Sequence, residues 1–145
     1  MELSLKEKSV LVTGGNRGIG LAIALAFADE GANVAICGRD QAALATAKSA
    51  IEARGVKAHT IAADLFTAAG CEAAIKETAD TFGSFHVLVS NASTNIGGTL
   101  ETLTDDQAIE RVMGKTLAAM RLSRAALPHL RAAGGGRIIC IGGTA

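Results

Sequence analysis

The sequence predicts an α/β chain: a doubly wound parallel sheet with strand order 3-2-1-4-5, truncated after the fifth strand. Three observations predict it. Short apolar runs alternate with longer segments whose apolar residues recur at helical spacing. The helical segments close at Gly31, Gly55 and Gly83, where a left-handed residue ends a last turn at no steric cost. Alternation of this kind builds βαβ units, and their right-handed crossovers leave few topologies. The 145 residues read as one domain, 1–145.

The elements follow in order. Ser9 to Thr13 is short and β-branched and ends at Gly14-Gly15, as a buried strand does. Ile19 to Glu30 is the first helix. Asn33 to Cys37 is the second strand. Asp40 caps a helix that runs to about Arg54. Lys57 to Ala62 is the third strand, Thr67 to Phe82 the third helix, and His86 to Ser90 the fourth strand. Residues 91–103 form a polar loop. Thr104 and Gln107 then have the spacing of a capping box. A long helix follows to about Ala132, with Ile109, Val112, Met113, Leu117 and Met120 on one face. Pro128 is expected to kink that helix or end it one turn early. Arg137 to Ile141 is the fifth strand, and as the last one it is an apolar sheet edge.

Composition excludes several classes of function. Fourteen basic and fourteen acidic residues give no net charge, which argues against a protein that coats nucleic acid or an anionic membrane. Aromatics at 3% supply no stacking platform for single strands. No apolar stretch approaches a membrane span, and Met1 to Lys6 holds no signal-peptide core. Cys37, Cys71 and Cys140 are too scattered for a metal site or a disulfide framework, and they suit a reducing cytoplasm. His59, His86 and His129 have no ligand-like spacing, so no metal is expected. There is no tyrosine.

The segment that carries chemistry is Thr13-Gly14-Gly15-Asn16-Arg17-Gly18-Ile19-Gly20. It lies between the first strand and the first helix. Glycines there permit a tight turn and close approach of backbone to a pyrophosphate, which the helix N-terminus attracts. The flanking strand and helix separate this motif from a glycine-rich turn that serves packing alone. About 20 residues further on, an acidic side chain would bind the ribose of NAD.

The motif matches the TGxxxGxG of the short-chain dehydrogenase/reductase family in full, and the chain resembles that family along its length. Asp64-Leu65 follows the third strand. Asn91-Ala92-Ser93 resembles the family's NAG. Leu127-Pro128-His129 and Gly136 to Ile139 resemble the end of its long helix and its fifth strand. The resemblance implies a Rossmann-like fold and an oxidoreductase that moves a hydride between a nicotinamide nucleotide and a small-molecule carbonyl or alcohol. The cofactor-binding residues it implies are Gly14, Gly15, Asn16, Arg17, Gly18, Ile19, Gly20, Arg39, Asp64, Leu65, Asn91 and Ala92. The family's acidic ribose ligand corresponds to Gly38, which offers nothing. Arg39 and Arg17 can instead meet a 2′-phosphate, so NADP is expected ahead of NAD. The other reading of Arg39 is a solvated surface charge. Asp40 reads as a helix cap, and Asp64 reads either as an adenine ligand or as a turn residue.

The resemblance departs at the catalytic positions and assigns no catalytic residue to the chain. The family's Ser corresponds to Gly143, with Thr144 as a neighbour. Its Asn corresponds to about Lys115. Its Tyr-x-x-x-Lys corresponds to positions beyond Ala145. The expectation is therefore the N-terminal, cofactor-binding part of a longer fold, inactive as a 145-residue polypeptide. The alternatives are a non-catalytic dinucleotide-binding module and a half-fold that needs a partner chain. Homo-oligomer formation is left open, and the substrate is not legible.

Overall fold

The computed structural model describes residues 3–94 and 96–142. The expected positions at Gly143 and Thr144 lie outside the described residues. Five parallel strands form one sheet in the order β3-β2-β1-β4-β5. They are β1 (Ser9–Thr13), β2 (Asn33–Gly38), β3 (Ala58–Ala62), β4 (Val87–Ser90) and β5 (Arg137–Cys140). The helices are α1 (Gly18–Asp29), α2 (Gln41–Glu52), α3 (Ala68–Phe82), α4 (Asp105–Val112) and α5 (Ala118–Ala132). A π turn, Met113–Leu117, joins α4 to α5.

Strand alternation builds two cores. Val10 and Val12 of β1, with Val34 and Ile36 of β2, meet Ala24 and Ala28 of α1 and Leu44 and Ile51 of α2. Leu11, Ala35 and Leu88 face the other way and meet Cys71 and Ile75 of α3 and Leu122 and Ala126 of α5. The central strands are buried on both faces, as a parallel sheet requires. Register is direct: Leu11 pairs with Ala35 on one side and with Leu88 on the other.

The helix ends follow the side chains at their caps. Asp40 accepts the Ala43 N–H at 3.0 Å, so it is a helix cap. Thr67 caps α3 by accepting from Gly70 N–H at 3.0 Å, and Gly83 closes it at φ +77°. Thr104 and Gln107 form the expected capping box.

The long helix differs from expectation. Pro128 lies inside α5 and does not end it; the helix runs on to Ala132. Pro128 is on the exposed side, while Ala126 and Leu130 stay buried and hold the last turn against the sheet. The irregular turn lies earlier, at Met113–Leu117. There Gly114 is buried: a Cβ on it would come within 2.5 Å of Thr94 Cγ2 and 2.9 Å of the Phe66 ring. Close approach at this point replaces regular winding.

Candidate functional site: a cleft at the carboxyl ends of the strands

The carboxyl ends of β1, β2, β3 and β4 open onto one cleft of about 420 Å³. Ligands of doubly wound sheets sit at this edge, where strand order reverses. The reversal here lies between β1 and β4, because β2 and β3 continue the sheet the opposite way.

The glycine loop forms one wall. Gly14 has φ +65° and Gly18 φ +55°, conformations that L side chains rarely adopt. Gly20 is required by contact: a Cβ there would stand 2.1 Å from the Gly14 carbonyl oxygen. Gly15 has a different task. It does not border the cleft but packs on β2, where a Cβ would meet Ile36 Cγ2 at 2.5 Å. Gly18 faces open space, with nothing within 4 Å of its Cβ position. The first bond inside α1 runs from Leu21 N–H to the Arg17 carbonyl at 3.1 Å. The N–H groups before it have no helical acceptor, and the start of a helix carries a partial positive charge.

The loop is tied to β4 by a dense set of hydrogen bonds. Thr13 Oγ1 accepts from the N–H groups of Asn91 and Ala92, at 2.9 and 3.0 Å. Asn91 Nδ2 donates to the carbonyls of Thr13 and Gly14, at 3.0 and 3.3 Å. Thr13 itself is fully buried.

The remaining expected residues border the same cleft. Asn16, Arg17, Ile19, Arg39, Asp64, Leu65, Asn91 and Ala92 all line it. Gly38 lies beside Asn16, whose Oδ1 would be 3.1 Å from a Cβ at that position. Arg17 and Arg39 are exposed and form no ion pair among the described residues. Asp64 holds its own turn: Oδ1 accepts the Phe66 N–H at 3.0 Å, and its backbone carbonyl accepts from the Thr67 hydroxyl. It is therefore a turn residue that also borders the cleft. Burial pushes the Cys37 thiol up to about 11, so this lining residue presents no thiolate at neutral pH.

Cys37, Ala63, Phe66 and Gly114 also line the cleft and escaped the sequence reading. An isolated glycine inside a helical pattern signals close approach, which would have found Gly114. Nothing local marks Phe66; its place comes from the β3–α3 turn. Lys115 stands at about the position that the resemblance gives to the family's Asn. Its Nζ donates to the carbonyls of Asn91 and Ala92, at 3.1 and 3.4 Å. Burial lowers its pKa below the ordinary lysine range, against an opposing effect of Cys140. Among the described residues no helix is long and apolar enough to cross a membrane.

Comparison with known proteins agrees with this geometry. Residues 8–145 match the family model for short chain dehydrogenase. The chain is 38% identical over 140 residues to the ketoacyl reductase HetN of a Nostoc species, a match covering 95% of this chain and 48% of that protein. Its fold is similar to L-sorbose reductase from Gluconobacter frateurii complexed with NADPH and L-sorbose. That similarity has a TM-score of 0.91 at 35% identity, over 97% of this chain and 54% of that one. NADH-dependent reductase A1-R′ complexed with NAD gives a TM-score of 0.88 at 27% identity, over 97% and 61% of the two chains. The chain spans about half the length of the curated relatives it matches. Both kinds of nicotinamide nucleotide thus occur among the matched structures. A match that begins just before β1 and runs through every strand makes the chain a member of the short-chain dehydrogenase/reductase family.

Proposed function

We propose that the cleft binds NADP(H) and that the chain is the cofactor-binding part of an oxidoreductase acting on a small-molecule carbonyl/alcohol pair. One observation carries this reading. The glycine loop, two exposed arginines and a glycine in place of an acidic ribose ligand share one cleft. The residues fit a dinucleotide: Gly14 and Gly18 adopt the conformations a tight phosphate loop needs, and Gly20 lets α1 approach closely.

When bound, the nicotinamide supplies or accepts the hydride. The chain's own residues bind and orient. The free N–H groups at the start of α1 hold the pyrophosphate. Arg17 and Arg39 take a 2′-phosphate through their guanidinium donors. Asp64 and Leu65 border the adenine, and Asn91 and Ala92 present backbone to the rest of the dinucleotide. The thiols of Cys37, Cys71 and Cys140 are free, which suits a reducing compartment such as the cytoplasm. Neither nucleic acid nor membrane is a partner in this reading.

A second reading is a dinucleotide-binding module without turnover. The 145 residues contain no tyrosine, so this polypeptide supplies no phenol to exchange the proton. Both readings give NADPH binding without turnover for the isolated polypeptide. The test of cofactor choice is Arg39→Asp. Its NADPH affinity is expected to fall about tenfold or more relative to NADH in fluorescence titrations. An unchanged ratio contradicts the assignment of Arg39.

A further inference from the structure

We infer that Lys115 is a positioning residue for the cleft, clamping the loop that leaves β4 against the glycine loop. The inference deepens the nucleotide-binding reading and rests on it.

The hydrogen bonds of residues 91 and 92 carry the argument. On one side their N–H groups both donate to Thr13 Oγ1. On the other their carbonyls both accept from Lys115 Nζ. The Asn91 side chain then reaches back to the Thr13 and Gly14 carbonyls. Thus Lys115, residues 91–92 and the glycine loop form one connected series. A single ammonium links the α4–α5 helical segment to the loop after β4, which is bonded in turn to Thr13 and Gly14. Such charge-assisted bonds are stronger than neutral ones.

The backbone delivers this ammonium by a local irregularity. Lys115 lies within the π turn Met113–Leu117, and its neighbour Gly114 is buried against Phe66 and Thr94. A side chain at 114 would push the helix away from the loop, and Lys115 with it. The π turn and the buried glycine thus serve one contact. The lowered Lys115 pKa reflects the same burial.

The test compares Lys115→Met, which keeps length and removes charge, with Lys115→Arg, which keeps charge. Two quantities are read on the full 145-residue chain: amide hydrogen exchange at Asn91 and Ala92 without nucleotide, and NADPH affinity by titration. In Lys115→Met, exchange at those two amides is expected to speed up about tenfold, with β2 amides unchanged. NADPH affinity is expected to fall about fivefold, and Lys115→Arg to restore most of both. Unchanged exchange overturns the clamp. Faster exchange with unchanged affinity overturns the positioning role and leaves a purely structural bond. Failure of Lys115→Arg to restore either quantity overturns the role of the charge. A parent chain that binds no NADPH overturns the cofactor reading and with it the purpose assigned to Lys115. That failure is distinct from failure of the clamp, which the exchange experiment reads without nucleotide.

Discussion

β2 and β5 are both short apolar strands of one parallel sheet, yet their surroundings are opposite. Val34, Ala35, Ile36 and Cys37 of β2 are fully buried. Every residue of β5 is exposed, with Ile138 at 38% and Ile139 at 40%. The difference lies in neighbours. β2 runs between β1 and β3 and has helices on both faces. β5 pairs with β4 alone, so its outer N–H and C=O groups have no ladder partner among the described residues. The helices repeat the contrast: α1 and α2 bury a face, while α4 buries no residue and leaves Ile109 and Val112 exposed. An apolar run thus specifies a strand, but only the elements beside it decide whether it is core.

Truncation of equivalent side chains separates the two strands most strongly. Ile36→Ala is expected to cost about 2–5 kcal/mol, because it leaves a cavity between β2 and α2. Ile139→Ala is expected to cost less, about 1–2 kcal/mol, since 40% of the residue is exposed. Urea denaturation of the two variants measures both, and equal losses contradict the contrast.

The smallest effect sits on the seam between the two regions. His86 Nδ1 accepts the Ser9 N–H at 3.0 Å, and the His86 carbonyl accepts from Arg137 of β5. Burial, aided by Lys8, lowers the His86 pKa below 6.5. The neutral ring is therefore the form the fold prefers. Its contribution is present above about pH 6.5 and is lost as pH falls through the lower folded value. The parent is expected to lose stability as pH falls below about 6.5, and His86→Gln to lose less over the same interval. Equal losses contradict the role of His86.

The same logic explains what was legible in the sequence. Strand positions, the Asp40 and Thr67 caps, the Thr104–Gln107 box and the glycine loop are local signals, and they stand within a residue or two of their expected places. Pro128 misled because propensity competes with packing: Ala126 and Leu130 hold the helix past it. The role of Lys115 was not legible, because its partners lie 23 and 24 residues away across the loop after β4. Gly15 looked like its neighbours in the motif, and only the position of Ile36 separates it from the cleft. Asp64 had two readings in sequence; its bond to Phe66 N–H realises the turn, while its place beside the cleft keeps the other.

A nicotinamide-nucleotide site at the glycine loop, within these 145 residues, is open to fluorescence titration of the purified chain with NADPH, beside Gly20→Ala. The account predicts saturable binding by the parent, weaker binding of NADH, and loss of both in the variant, whose Cβ would stand 2.1 Å from the Gly14 carbonyl oxygen. A folded parent that does not saturate, or a Gly20→Ala variant that binds equally well, would contradict it.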